Sequence, residues 1–108
     1  MRRVVMLLMR KLKSQEIPLI EHLLDKSGLE LEVSDLKVTE MDDGGMGSLR
    51  FHSKTKEPKF GEAAAEYWFQ DNDGIDVTAR LNLDQNGELF ELDVWKTDFT
   101  KLKEWPSI

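Results

Sequence analysis

The run Asp42-Asp43-Gly44-Gly45-Met46-Gly47-Ser48 places two carboxylates beside three glycines, between two strand-like segments. Glycine reaches positive φ at little cost, so such a cluster marks a backbone path closed to most residues. The path serves either a demanding turn or a site. Asp71-Asn72-Asp73-Gly74 is a second acidic turn, and Asp98 follows the last strand-like segment. Clustered carboxylates bind hard cations such as calcium or magnesium. A close pair also raises one carboxyl pKa toward general acid–base work. Asp42, Asp43, Asp71, Asp73 and Asp98 are therefore the candidate metal ligands. Turn chemistry explains the same residues without any ligand. On that balance no catalytic residue and no cofactor is assigned, with calcium or magnesium as the alternative.

Other chemical constellations are missing from the sequence. His22 and His52 are the only histidines, and their spacing is not that of metal ligands. There is no Gly-x-Ser-x-Gly elbow. The glycine run lacks the lysine and following helix of a phosphate loop. Asn82, Asp84, Asn86, Gly87 and Asp93 occupy calcium-loop positions, but their flanks alternate with period two where an EF-hand needs helices. The absence of cysteine excludes disulfides and thiolate metal sites, and suits a reducing, cytoplasmic compartment.

A chain of 108 residues, 40% hydrophobic and 33% charged, suits one compact domain over residues 1–108. The net charge is −6, yet residues 1–13 carry five basic groups and no acid, which leaves −11 for the rest. An acidic body disfavours nucleic acid and anionic membrane and favours a basic protein partner or a cation. The apolar run Val4–Met9 is too short for a signal-peptide core or a membrane span. Residues 1–13 read as a basic, apolar extension or a short strand, with the true start of the domain open within residues 1–10.

The elements that must position these groups follow from periodicity. Ser14 reads as an N-cap for a helix over 14–27, with Ile17, Ile20, Leu23 and Leu24 on one face and Gly28 as its stop. His22 lies off that stripe and reads as a surface residue. Alternation then predicts five strands within 36–96, at Leu36–Met41, Ser48–Ser53, Ala65–Asp71, Ile75–Leu83 and Glu88–Lys96. Lys54–Glu62 reads as a polar surface connection, and 97–108 as a C-terminal tail.

Register follows by arithmetic. A two-residue Asn86-Gly87 turn pairs Leu83 with Phe90, Leu81 with Leu92 and Ala79 with Val94 on the core face. A three-residue Asn72–Gly74 loop pairs Phe69 with Val77 and Tyr67 with Ala79. The outer face then carries the rows Trp68–Thr78–Trp95 and Glu66–Arg80–Asp93. An up-and-down meander brings the Asp42–Ser48 loop, the Asp71–Gly74 loop and Trp95–Phe99 to one acidic end. The tryptophan row is expected to be covered from within, by the helix, the N-terminal apolar run, or Phe99, Leu102 and Trp105. If uncovered, Trp68, Trp95, Thr78 and Arg80 form the candidate partner surface.

Arg10–Leu24, Asp42–Ser48 and Glu91–Phe99 together resemble an uncharacterised family of small bacterial proteins, over most of the chain after the first nine residues. The resemblance implies no activity. The fold expectation is α+β: one main helix packed on an antiparallel β-meander of about five strands. The functional expectation is a non-enzymatic binding module, immunity-type or accessory, that meets a basic partner. The alternatives are a cation site or small enzyme at the aspartate end, and a structural homo-oligomer.

Overall fold

The computed structural model describes residues 8–108. The basic, apolar start at residues 1–7 lies outside the described residues. The elements are β1 (Arg10–Lys11), α1 (Ile17–Ser27), β2 (Lys37–Glu40), β3 (Leu49–Phe51), β4 (Phe60–Gln70), β5 (Asp76–Asp84) and β6 (Leu89–Lys96), with a 3₁₀ turn at Val33–Asp35. The strands form one antiparallel sheet in the order β1-β2-β3-β6-β5-β4. No helix among the described residues is long and apolar enough to cross a membrane.

The helix starts three residues later than expected. Pro18 sits in its first turn, and Glu16, not Ser14, is the N-cap. Glu16 makes no cap hydrogen bond through its side chain. Its carboxylate is taken by both Arg10 amino groups at 2.9 Å and by the Lys13 amide at 2.8 Å. The helix ends at Gly28 as its sequence predicts, with φ 73° and the Leu29 amide returning to Leu24 at 3.0 Å. Leu19, Ile20, Leu23 and Leu24 are buried against Val38, Leu49, Phe51, Val77, Ala79, Leu81, Leu92 and Val94. One sheet face therefore carries the core and the helix, and the other has no covering layer.

Six strands replace the expected five, the added one being the two-residue β1. The order is also not an up-and-down meander, because β6 inserts between β3 and β5. The reason is burial. Leu92 and Val94 are among the most buried residues of the chain and need a neighbour on both sides. Leu49 pairs with Leu92, and the Ser48 hydroxyl accepts the Val94 amide at 2.9 Å. β3 and β6 run antiparallel, so the β2–β3 loop, the β4–β5 turn and the end of β6 still share one end.

The cross-strand pairs Phe69–Val77, Trp68–Thr78, Tyr67–Ala79 and Glu66–Arg80 stand as expected, as do Thr78–Trp95 through Asn82–Glu91. The far turn differs. Asp84 closes a three-residue loop, accepting the Gly87 amide at 3.0 Å and donating to Glu88 at 2.8 Å. Its carboxylate adds the amides of Asn86 and Glu88, a better-satisfied turn than a bare Asn-Gly. Leu83 then pairs with Leu89, and a bulge at Phe90 absorbs the extra residue.

β4 begins at Phe60, inside the stretch expected to be a connection, and reaches Ala65 through two bulges. Gly61 permits this because its α-carbon lies against the next turn: a Cβ there would stand 2.3 Å from the Asp84 carbonyl oxygen. Gly61→Ala should therefore cost about 1–3 kcal/mol in urea unfolding. Unchanged stability would mean that β4 does not pass so close to β5.

Candidate functional site

At the shared end the chain buries a charge. Lys96 continues the inward parity of Leu92 and Val94, and its side chain is 0% exposed. Its ammonium donates to Asp73 Oδ2 at 2.6 Å, Asp71 Oδ2 at 2.8 Å and the Lys101 carbonyl at 3.1 Å. Those acceptors use all three protons. Asp71, also buried, is filled as completely. Its oxygens accept Lys96, Lys103 at 2.7 Å, Asn72 at 2.7 Å and Glu104 at 3.0 Å.

Burial works against the Lys96 ammonium, but Asp71 and Asp73 outweigh it and hold its pKa above the ordinary lysine value. A lysine nucleophile or base needs the opposite shift. Burial also opposes the Asp71 carboxylate. Lys96 and the amides of Lys103, Asn72 and Glu104 outweigh that and lower its pKa to about 2. Lys96 is the main cause of a lowered pKa at Asp73. The cluster ties turn, strand and tail together and leaves no proton in transit.

The glycine run completes this end. Asp43 accepts the Met46 and Ser48 amides at 3.1 and 2.9 Å, which closes the loop on itself. The Gly45 carbonyl accepts the Leu102 amide at 3.1 Å. Gly47, at φ 106°, leaves room for the Trp105 ring, which a Cβ would approach to 3.1 Å. A cleft of about 160 Å³ lies between this loop, Glu16 at the helix start and Trp105 of the tail.

The five predicted metal candidates stand as follows. Asp71 and Asp73 meet on Lys96. Asp43 holds its own loop, and Asp98 accepts the Thr100 hydroxyl at 2.6 Å and amide at 3.0 Å. The Thr100 hydroxyl is the main cause of a lowered pKa at Asp98. Asp42 is exposed beside a hollow with Thr39, Arg50 and His52. Among the described residues, no three His, Asp or Glu side chains are grouped to hold a metal ion.

The partner candidates lie on the open face. Internal cover was the expectation for its tryptophans, and the structure corrects it: Trp68 is 59% and Trp95 48% exposed. The reason is parity. Both point away from α1, and Leu102 and Trp105 pack on the opposite, core side. Thr78 lies between them, and Arg80 donates to Glu66 at 3.0 Å in the next row. Phe99 joins the row unforeseen. Its ring meets Trp95 edge-on at 4.9 Å, and it remains 64% exposed at φ 64°. Such a backbone costs a bulky residue on the order of 1–3 kcal/mol.

The Asp71 network fixes a pH response. Its carboxyl binds a proton less readily folded than unfolded, so acid favours unfolding. The stability it carries is complete above the ordinary value of 3.8 and drains as pH falls through about 2. Urea midpoints measured against pH should show this decline, and Asp71→Asn should start lower and lose this step. A Lys96→Met variant should melt more than about 10 °C lower, since it strands two carboxylates. Melting like the parent would contradict a cation enclosed by Asp71 and Asp73.

No curated protein and no solved structure matched the chain in comparison. A family described as a domain of unknown function, DUF6984, matches residues 9–106, nearly the whole fold from the residue before β1 to the end of the latched tail. The chain belongs to that family.

Proposed function

We propose that this protein is a non-enzymatic interaction module of the bacterial cytoplasm, immunity-type or accessory in role, which binds a basic protein segment through its open sheet face. The observation that carries the reading is the exposed row of Trp68, Trp95 and Phe99 on the face without a helix. Exposed aromatic patches mark interfaces, and tryptophan is a frequent hot-spot residue. The sheet pairs put Glu66, Asp76 and Asp93 on the same face with Arg80, so carboxylates outnumber bases around the aromatic rings. Tryptophan faces attract guanidinium and ammonium groups, and the net charge of −6 steers a basic partner toward the protein. The reading invokes no cofactor. The absence of cysteine suits a reducing compartment.

Titration with a ten-residue oligoarginine peptide, followed by tryptophan fluorescence, tests the reading. Trp68→Ala with Trp95→Ala should weaken binding at least about tenfold. The same pair should change stability by less than about 1 kcal/mol, because both rings stand in solvent. Equal binding by parent and double variant would refute the proposed surface.

A further inference from the structure

The open face ends at a strand edge, and that edge is unevenly protected. β4 is the last strand of the sheet, with no neighbour on its outer side among the described residues. Edge strands invite pairing, and proteins blunt them with bulges, charges or short length. The opposite edge strand, β1, has two residues. In β4 both bulges fall before Ala65. From Ala65 to Gln70 the pairing with Leu81–Asp76 is unbroken, so six consecutive residues present a regular edge.

One side chain caps this stretch. The Lys26 ammonium, from the last turn of α1, donates to the Glu66 carbonyl. That contact identifies the outward backbone groups. The amide and carbonyl of a strand residue point to the same side, and the sides alternate. Glu66, Trp68 and Gln70 therefore offer their backbone groups outward. Lys26 is exposed, so an arriving amide can displace it.

We infer that the basic partner segment docks as an antiparallel strand added along Ala65–Gln70 of β4, with basic side chains at every second position. This rests on the reading of the open face given above. Strand addition supplies affinity through the main chain and specificity through alternate side chains. Partner residues opposite Glu66, Trp68 and Gln70 share the open face, where Glu66 supplies a carboxylate and Trp68 an aromatic surface. Residues of the other parity lie beside Tyr67 and Phe69, which are half-buried against the core, and beside Lys26. That side rejects a second basic series and accepts small or apolar side chains.

An eight-residue peptide alternating arginine and threonine is the probe. In an antiparallel pair its arginine amides face β4 and its threonine amides face away. Methylating the arginine backbone nitrogens should weaken binding at least about tenfold, and methylating the threonine nitrogens should leave it within about twofold. Hydrogen exchange at the amides of Trp68 and Gln70 should slow when the unmodified peptide binds. Equal effects of the two methylations, or no slowing at these amides, would overturn strand addition. If the peptide still quenched tryptophan emission in that case, the open-face reading would survive alone. No binding of either this peptide or oligoarginine would defeat both. A dimer seen by light scattering, with these amides already protected, would also overturn the inference and give the edge to a second copy.

Discussion

A lysine ammonium inside a protein must find compensation for every proton it carries, and Lys96 obtains it from three separate segments. Asp71 and Asp73 come from the β4–β5 turn, and the Lys101 carbonyl comes from the tail. None of these can move without stranding a buried charge, which costs far more than an exposed pair contributes. The constraint propagates. Asp71, once ionised and in place, binds the amides of Lys103 and Glu104 and lays the tail across the end of the sheet. The tail brings Leu102 to the Gly45 carbonyl and Trp105 to Gly47. The glycines of the Asp42–Ser48 loop are thus explained by what packs on them. The run that looked most chemical in the sequence is a floor for the C-terminal tail.

The two faces of the sheet divide the labour. The core face holds the helix, the apolar cluster and Lys96, and it accounts for stability. The open face holds Trp68, Trp95 and Phe99, whose exposure serves nothing in the monomer beyond one edge-on aromatic contact worth about 0.5–1.5 kcal/mol. The same strands serve both purposes because a strand's side chains alternate. In β6, Trp95 faces out and Lys96 faces in. A one-residue slip in register would exchange them, so the buried cation also fixes which aromatics reach solvent.

Much of the fold was legible in the sequence because two turns fix register locally. Asp71–Gly74 and Asp84–Gly87 determine the β4–β5–β6 pairs, and the rows Trp68–Thr78–Trp95 and Glu66–Arg80–Asp93 follow. The β3–β6 pairing was not legible, because no turn joins those strands and only burial selects it. The Phe90 bulge was hidden by the Asn86-Gly87 pair, which suits two turn lengths. Glu16 displaced Ser14 as the N-cap residue because Arg10, six residues away, holds its carboxylate. The aspartates were identified as a group at one end. Their counter-ion was missed, although a signal was present: Lys96 has the inward parity of Leu92 and Val94 and falls opposite Val77.

The central claim is that Asp71, charged and enclosed with Lys96, holds the tail to the sheet. Hydrogen exchange at the Lys103 and Glu104 amides tests it most directly, since both donate to Asp71. In the parent these amides should be protected to a degree approaching those of β5 and β6. In Asp71→Asn they should exchange at the rate of open chain, while the β5 and β6 amides stay protected. Rapid exchange in the parent, or protection that survives the substitution, would contradict the account.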